Sequence, residues 1–78
     1  MTRSLPVAVV DAAADARGVD PEDLDYALAD HIDTTALREL STHDGASWTL
    51  SFELPEQNVT VTSDGLILVD GDPVETWT

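Results

Sequence analysis

The chain contains no cysteine and no lysine. Without cysteine, neither disulfides nor thiolate metal sites can stabilise it, and nothing indicates an oxidising compartment. Long hydrophobic runs are also missing, because Asp11 and Asp15 interrupt the apolar N-terminal segment well before it reaches the length of a signal peptide or a membrane span. We therefore expect a cytoplasmic protein that does not enter a membrane.

Basic residues are scarce as well: sixteen Asp and Glu stand against three Arg, so the formal net charge is −13 on 78 residues. Such self-repulsion threatens a compact state in dilute buffer, but molar salt shortens the Debye length to about 3 Å. Aspartate outnumbers glutamate eleven to five, and alanine is abundant. This composition indicates an extreme halophile. An acidic disordered segment is the weaker interpretation, since 42% of the residues are hydrophobic and recur periodically.

Motifs for catalysis, metal binding and cofactor binding are absent too. The stretch DAAADARGVDPEDLDYALADHID, from Asp11 to Asp33, holds eight carboxylates, but they fall where side chains are solvated or cap helices. No calcium-loop or phosphate-loop pattern occurs. Neither His31 nor His43 has a second ligand or partner at a defined spacing, and no nucleophile-elbow motif surrounds a serine. The sequence predicts no catalytic, metal-binding or cofactor-binding residue, and we expect that the protein is not an enzyme.

The helical half, residues 4–40, begins with one long predicted helix, LPVAVVDAAADAR. Ser4 can cap its start, and Pro6 in the first turn removes no hydrogen bond. Gly18 suits the left-handed residue beyond its end. The apolar residues that share one face at helical spacing are the predicted core: Leu5, Val9, Val10, Ala12, Ala13 and Ala16.

Two further helical segments are predicted. Asp20 is the cap and Pro21 the first residue of the earlier one, and Asp25-Tyr26 marks the point where it could divide into two pieces. Asp33 caps the later one, TTALREL. The apolar residues assigned to these segments are Leu24, Leu28, Ile32, Leu37 and Leu40.

The strand half, residues 47–70, changes to a period of two. The first strand carries the apolar side chains of WTLSFEL on one face, and VTVT and LILV are the second and third strands. A four-residue PEQN loop would pair Leu54 with Val59 and Phe52 with Val61, so that the apolar faces of the first two strands coincide.

The SDG turn leaves two registers open. A three-residue loop with Gly65 left-handed aligns Ile67 with Val61 and Val69 with Val59. A two-residue turn would shift the register by one residue and point the leucines at 66 and 68 inward. We favour the three-residue loop.

Together these elements predict a single α+β domain over residues 1–78, with N-terminal helices packed on one face of a three-stranded antiparallel β-meander. DGD at residues 70–72 is a turn, and residues 71–78 are a C-terminal tail. A chain of this length buries only about 60 to 65% of its unfolded surface. It can build one small core and no deep cleft.

Three segments, in this order, resemble the halobacterial output domain family: SLPVAVVDAAADARGVDPEDL, HIDTTAL and WTLSFELPEQNVTVTSDGLILV. The pattern of that family is a helix of apolar and acidic residues, a GVDP joint, an IDPDAL joint and a VTVSSDG hairpin. Two departures stand out: Thr34 occupies a position where proline is common, and Leu66 and Leu68 are apolar where polar residues are typical. The resemblance implies a signalling output role, alone or after a receiver or sensor domain, and it provides no catalytic residue to carry over.

Three functional classes follow. A protein-interaction or self-association module suits a small domain without a chemical site. A nucleic-acid-binding output domain is less favoured, because Arg3, Arg17 and Arg38 are scattered while phosphate binding normally needs a cluster; molar salt weakens that charge argument. A small-ligand sensor or minimal enzyme would need more concave volume than this chain offers.

The third strand is the predicted interaction element, because a meander of three strands leaves it as an edge. Leu66 and Leu68 would then project from the uncovered face, joined by Trp77 from the tail, as an apolar patch on an acidic surface. We expect a symmetric homodimer or a contact with another signalling protein there. The alternatives are that DPVETWT folds over the leucines within one chain, or that the other register holds.

Overall fold

A computed structural model describes residues 4–42, 45 and 47–77. Helix α1 (Leu5–Arg17) is followed by two single 3-10 turns (Pro21–Asp23 and Leu28–Asp30) and by helix α2 (Thr34–Ser41). The strands are β1 (Thr49–Leu54), β2 (Gln57–Thr62), β3 (Leu66–Val69) and β4 (Asp72–Thr76). They form one antiparallel sheet in the order β1-β2-β3-β4. The α+β class is confirmed, but the sheet has four strands, not the three that we predicted.

Helix α1 begins and ends where the sequence predicts. Ser4 occupies the N-cap position, but its side chain makes no capping hydrogen bond. Gly18 ends the helix at φ +72°, and its N–H bonds to the carbonyl of Asp15. The predicted core face is confirmed for most positions, while Ala16 is exposed. The buried residues of the helix are Leu5, Pro6, Ala8, Val9, Ala12, Ala13 and Ala14.

The second helical segment divides at Asp25-Tyr26 into the two 3-10 turns. Asp20 takes the N-cap position of the first turn without a side-chain cap hydrogen bond. Asp33 does cap α2, because its Oδ1 accepts hydrogen bonds from the N–H groups of Thr35 (2.9 Å) and Ala36 (3.3 Å). Leu37 of α2 is fully buried, and Leu40 is half-buried.

The first hairpin is tighter than predicted. Leu54 pairs with Gln57 and Phe52 with Val59, so the turn has the two residues Pro55 and Glu56 in place of the four of PEQN. Glu56 provides the left-handed residue of this turn, at φ +63°. The predicted register was wrong by two residues, and because side chains alternate with a period of two, the apolar faces still coincide.

The second hairpin follows the favoured register. Val61 pairs with Ile67 and Val59 with Val69, and Gly65 has a positive φ of +99°. The three-residue loop at SDG is confirmed.

The predicted C-terminal tail is wrong for residues 72–76, which form β4. Asp70 and Gly71 both have positive φ, +52° and +89°, as a two-residue type I′ hairpin turn requires, and Val69 pairs with Asp72. Strand β3 is therefore paired on both sides, and it is not the edge strand that we predicted. The edges of the sheet are β1 and β4.

The core lies between α1 and the sheet. Helix α1 packs against β2, β3 and β4, and α2 packs against α1. The largest fully buried side chains are Leu5, Val9, Leu37, Val59, Val61 and Ile67. All the helices in the described part of the chain therefore cover one face of the sheet and leave the other face open.

Candidate interaction surface

The open face of the sheet, which we call the outer face, is built by alternation along the strands. Ile67 and Val69 point toward the helices and are buried, so Leu66 and Leu68 point the other way. Residues directly opposite each other in an antiparallel pair share a face. The registers of β1, β2 and β3 therefore place these side chains on the outer face: Thr49, Ser51, Glu53, Asn58, Thr60, Thr62, Leu66 and Leu68.

Low charge distinguishes the outer face from the rest of the molecule. Glu53 is the one charged side chain among the outer-face residues just named, whereas the chain as a whole carries sixteen acids in 78 residues. Leu66 is 38% exposed and Leu68 is half-buried. Hydroxyl groups surround the leucines, and the Oγ atom of Ser51 lies 3.2 Å from Oγ1 of Thr60. The outer face is a surface of hydroxyls and leucine on an acidic protein.

Trp77, the third predicted interface residue, lies elsewhere. It is 8% exposed and belongs to the hydrophobic core. Its ring stacks on Trp48 with centroids 5.8 Å apart, and its Nε1 donates a hydrogen bond to the carbonyl of Thr62 at 2.9 Å. The structure thus keeps Leu66 and Leu68 together on the outer face, while Trp77 closes the core.

A polar cluster at the end of α1 was not predicted from the sequence. Arg17 donates from Nε to Oε1 of Gln57 at 3.0 Å, and it also donates to the carbonyl of Pro55. Gln57 is 8% exposed and donates from Nε2 to the carbonyl of Ala13 at 3.1 Å. A carboxylate oxygen of Asp25 lies 3.9 Å from the guanidinium. These contacts connect the end of α1 to the β1–β2 turn.

Tyr26 extends this cluster. The guanidinium of Arg17 lies 5.4 Å from the centre of its ring, and His31 contacts the ring edge-on at 5.3 Å. Within the described residues, the buried hydroxyl of Tyr26 has no hydrogen-bond partner. Burial raises the pKa of Tyr26; Arg17 opposes that shift and Asp25 adds to it. All of these contacts lie within one chain, and they stabilise the fold.

The acidic residues in the described part of the chain do not form a metal-binding cluster. Among the described residues, no group of three or more His, Asp or Glu side chains could hold a metal ion. Some acids have local structural roles: Asp33 caps α2, and Asp70 accepts a hydrogen bond from the N–H of Asn58 at 2.9 Å. His43 and Arg3 lie outside the described residues.

A second apolar surface lies on the helical side. A groove of about 290 Å³ is lined by side chains of α1, of α2 and of the segment between them, including Pro6, Val7, Val10, Pro21 and Leu28. Val7 is 50% exposed. Asp11 and Arg38 both border the groove, so the groove adjoins charges of both signs.

The described residues thus define a small α+β domain with a weakly charged sheet face. The chain belongs to the family Halobacterial output domain 1, whose family model matches residues 1–71. This match confirms the resemblance seen in the sequence and indicates a signalling output role in haloarchaea. Strand β4 and Trp77 lie beyond the matched residues.

No curated protein and no solved structure is significantly similar to the chain. In the described residues, no helix combines the length and the apolar character needed to cross a membrane.

Proposed function

We propose that this chain is a non-catalytic signalling output module that acts by binding another protein of its pathway through the outer face. The observation that carries the proposal is the open, weakly charged sheet face around Leu66 and Leu68 on a chain with a net charge of −13. An apolar patch on an otherwise charged surface is the usual mark of a protein contact.

Energetics favour the outer face over the acidic surfaces. Burying a carboxylate without a partner costs several kcal/mol, whereas hydroxyl groups can exchange hydrogen bonds across an interface. The leucine side chains contribute roughly 25 cal/mol for each Å² of apolar surface that a partner covers. A partner at the outer face would need to desolvate or pair one carboxylate, that of Glu53.

A protein suits this face better than nucleic acid. The net charge repels phosphates, and the guanidinium of Arg17 is already engaged by Gln57, Pro55 and Tyr26. The outer-face residues named above include no Lys or Arg. A contact with a protein surface of hydroxyl and apolar groups needs no basic residue on the outer face.

Co-purification from a lysate in molar KCl tests the proposal. The wild type is compared with the double variant Leu66→Asp/Leu68→Asp and with Val7→Asp, which places a carboxylate in the groove on the helical side. We expect the wild type and Val7→Asp to retain the same protein, and the double variant to lose it while its circular dichroism spectrum shows that it remains folded.

Two results would contradict the proposal. If the double variant retains the partner as well as the wild type does, the outer face is not the binding surface; loss with Val7→Asp alone would assign binding to the groove. If the retained material is duplex DNA that nuclease removes, the module binds nucleic acid.

A further inference from the structure

Strand β1 is an open edge of the sheet. Within the described residues its one strand neighbour is β2, and the two strands pair without interruption from Thr49 to Leu54. The other edge, β4, is protected: Pro73 has no N–H, and a register shift between Ile67 and Leu68 disturbs the ladder. Neither device is present in β1, so β1 is the edge that can accept another strand.

The hydrogen-bond pattern shows which groups face outward. The carbonyl of Trp48 accepts from the N–H of Ser63 at 2.9 Å, so these two residues form a hydrogen-bonded pair. Such pairs alternate along an antiparallel ladder. The backbone groups of Leu50 and Phe52 therefore bond to β2, and those of Thr49, Ser51 and Glu53 point away from the sheet.

The inner face of β1 carries an apolar row at the margin of the core. Trp48, Leu50 and Phe52 pack against the core but are half-buried. Helix α1 lies over β2, β3 and β4, and no described helix makes more than a marginal contact with β1. The row is thus incompletely covered next to the open edge.

We propose that a second copy of this chain pairs with β1 through its own β1, antiparallel, about a two-fold axis at Ser51. Ser51 then faces Ser51 of the second copy, and Thr49 faces Glu53 of the second copy. Each of these outward-facing pairs exchanges two backbone hydrogen bonds. On the inner face, Leu50 meets Phe52 of the second copy, so the apolar rows join across the axis.

The sequence of β1 fits a copy of itself. The register centred on Ser51 uses the whole strand and keeps the two Glu53 carboxylates apart, whereas a register centred on Glu53 would place like charges directly opposite each other. The segment that pairs with β1 must be an extended strand, since the unpaired groups along β1 are backbone N–H donors and C=O acceptors. A shared core also compensates for the small core of each chain.

This inference is independent of the proposed function. A two-fold axis perpendicular to the sheet leaves both outer faces on the same side of one continuous sheet. The dimer would therefore present two partner surfaces side by side, and either the dimer or the partner contact could exist without the other.

Cross-linking tests the geometry. The chain has no cysteine, so Ser51→Cys introduces a single thiol close to the proposed axis. Opposed residues of a hydrogen-bonded pair have Cα atoms about 5.5 Å apart, which lies within the range that a disulfide spans. We expect oxidation in molar KCl to convert Ser51→Cys to a covalent dimer. The control is Thr60→Cys, on the outer face of β2, which should stay largely uncross-linked.

Sedimentation in molar KCl tests the association itself. The wild type and Ser51→Ala, which keeps the backbone N–H, should have twice the mass of Ser51→Pro, which lacks it. The double variant Leu66→Asp/Leu68→Asp should stay dimeric even if it loses its partner. A monomeric wild type, or cross-linking of Ser51→Cys no faster than that of Thr60→Cys, would overturn the inference and leave the outer-face proposal standing.

Discussion

Arg17 and Gln57 are joined by a hydrogen bond of 3.0 Å between Nε and Oε1, which fastens the last residue of α1 to the first residue of β2. Gln57 is the buried polar residue of the described chain, and its amide also bonds to the carbonyl of Ala13. Helix and sheet are thus linked through a polar contact as well as through the apolar core.

Replacing Arg17 by Ala should lower the free energy of unfolding by about 2 kcal/mol, because the buried amide of Gln57 loses a partner and a buried polar group without one costs about 1–3 kcal/mol. Urea denaturation in molar KCl measures the loss. Arg38→Ala removes the same charge from an exposed position and should change stability by less than about 0.5 kcal/mol. Equal losses in the two variants would mean that net charge, not the contact with Gln57, sets the effect.

The two predicted helix caps should behave differently. Asp33 accepts two hydrogen bonds from the start of α2, whereas the side chain of Ser4 makes no capping bond. Asp33→Ala should therefore cost about 0.5–2 kcal/mol of stability, and Ser4→Ala should be close to neutral. Thermal melts in molar KCl compare the two variants. A larger loss for Ser4→Ala than for Asp33→Ala would contradict the cap geometry of the structure.

The features predicted correctly from the sequence are those with local causes. Helix α1 ends at Gly18 because that residue adopts a left-handed conformation, and Gly65 sets the register of the second hairpin in the same way. The cap at Asp33 is likewise a matter of a few consecutive residues. Such signals act before any tertiary contact forms, so one sequence reveals them.

The features predicted wrongly depend on distant contacts. The first hairpin closes at Gln57, whose amide contacts Ala13 and Arg17, which lie 44 and 40 positions earlier in the sequence. Pro73 weakens the strand signal after Val69, because proline cannot donate to a ladder, although the Asp-Gly pair before it is a strong hairpin signal. Trp77 is placed by its stacking on Trp48, and no local pattern indicates that partner.

Trp77 offers a test of β4. The indole is 8% exposed and stacks on Trp48, so Trp77→Ala should lower the free energy of unfolding by about 3–5 kcal/mol. Val7→Ala, at a half-exposed position of α1, is the control and should have little effect. Chemical denaturation followed by circular dichroism gives both values. If Trp77→Ala leaves the free energy of unfolding unchanged, Trp77 does not hold β4 against the sheet.

Tyr26 should make stability depend on pH in the alkaline range. Burial raises its pKa above the ordinary value, so the folded chain holds the phenol proton more tightly than the unfolded chain does. The contribution of Tyr26 to the free energy of unfolding should then be constant below about pH 10 and fall as the pH rises through the higher pKa of the folded state.

The composition makes this titration easy to follow. Tyr26 is the one tyrosine of the chain, and there is no lysine or cysteine to titrate nearby. Tyrosinate absorbance measures its pKa directly, and denaturation at several pH values measures the linked stability. Tyr26→Phe should remove the alkaline decline and leave stability at neutral pH unchanged or slightly higher, because the hydroxyl is buried without a described partner. A decline that persists in Tyr26→Phe would assign it to another group.

Folding should depend on salt. The net charge of −13 produces carboxylate repulsion that molar KCl screens, and salt that is excluded from the surface strengthens apolar burial as a second contribution. The helical circular dichroism signal should be lost or strongly weakened on dialysis from molar KCl into dilute buffer.

The control for this prediction is sucrose, which is excluded from protein surfaces but does not screen charge. At a concentration that raises the melting temperature of a neutral protein as much as the KCl does, sucrose should restore the fold less well than KCl. The double variant Glu22→Gln/Asp23→Asn, which removes two exposed carboxylates, should need less KCl to fold. A melting temperature that is indifferent to KCl would contradict the screening argument, because both contributions would then have to be negligible on a chain with sixteen acids and three arginines.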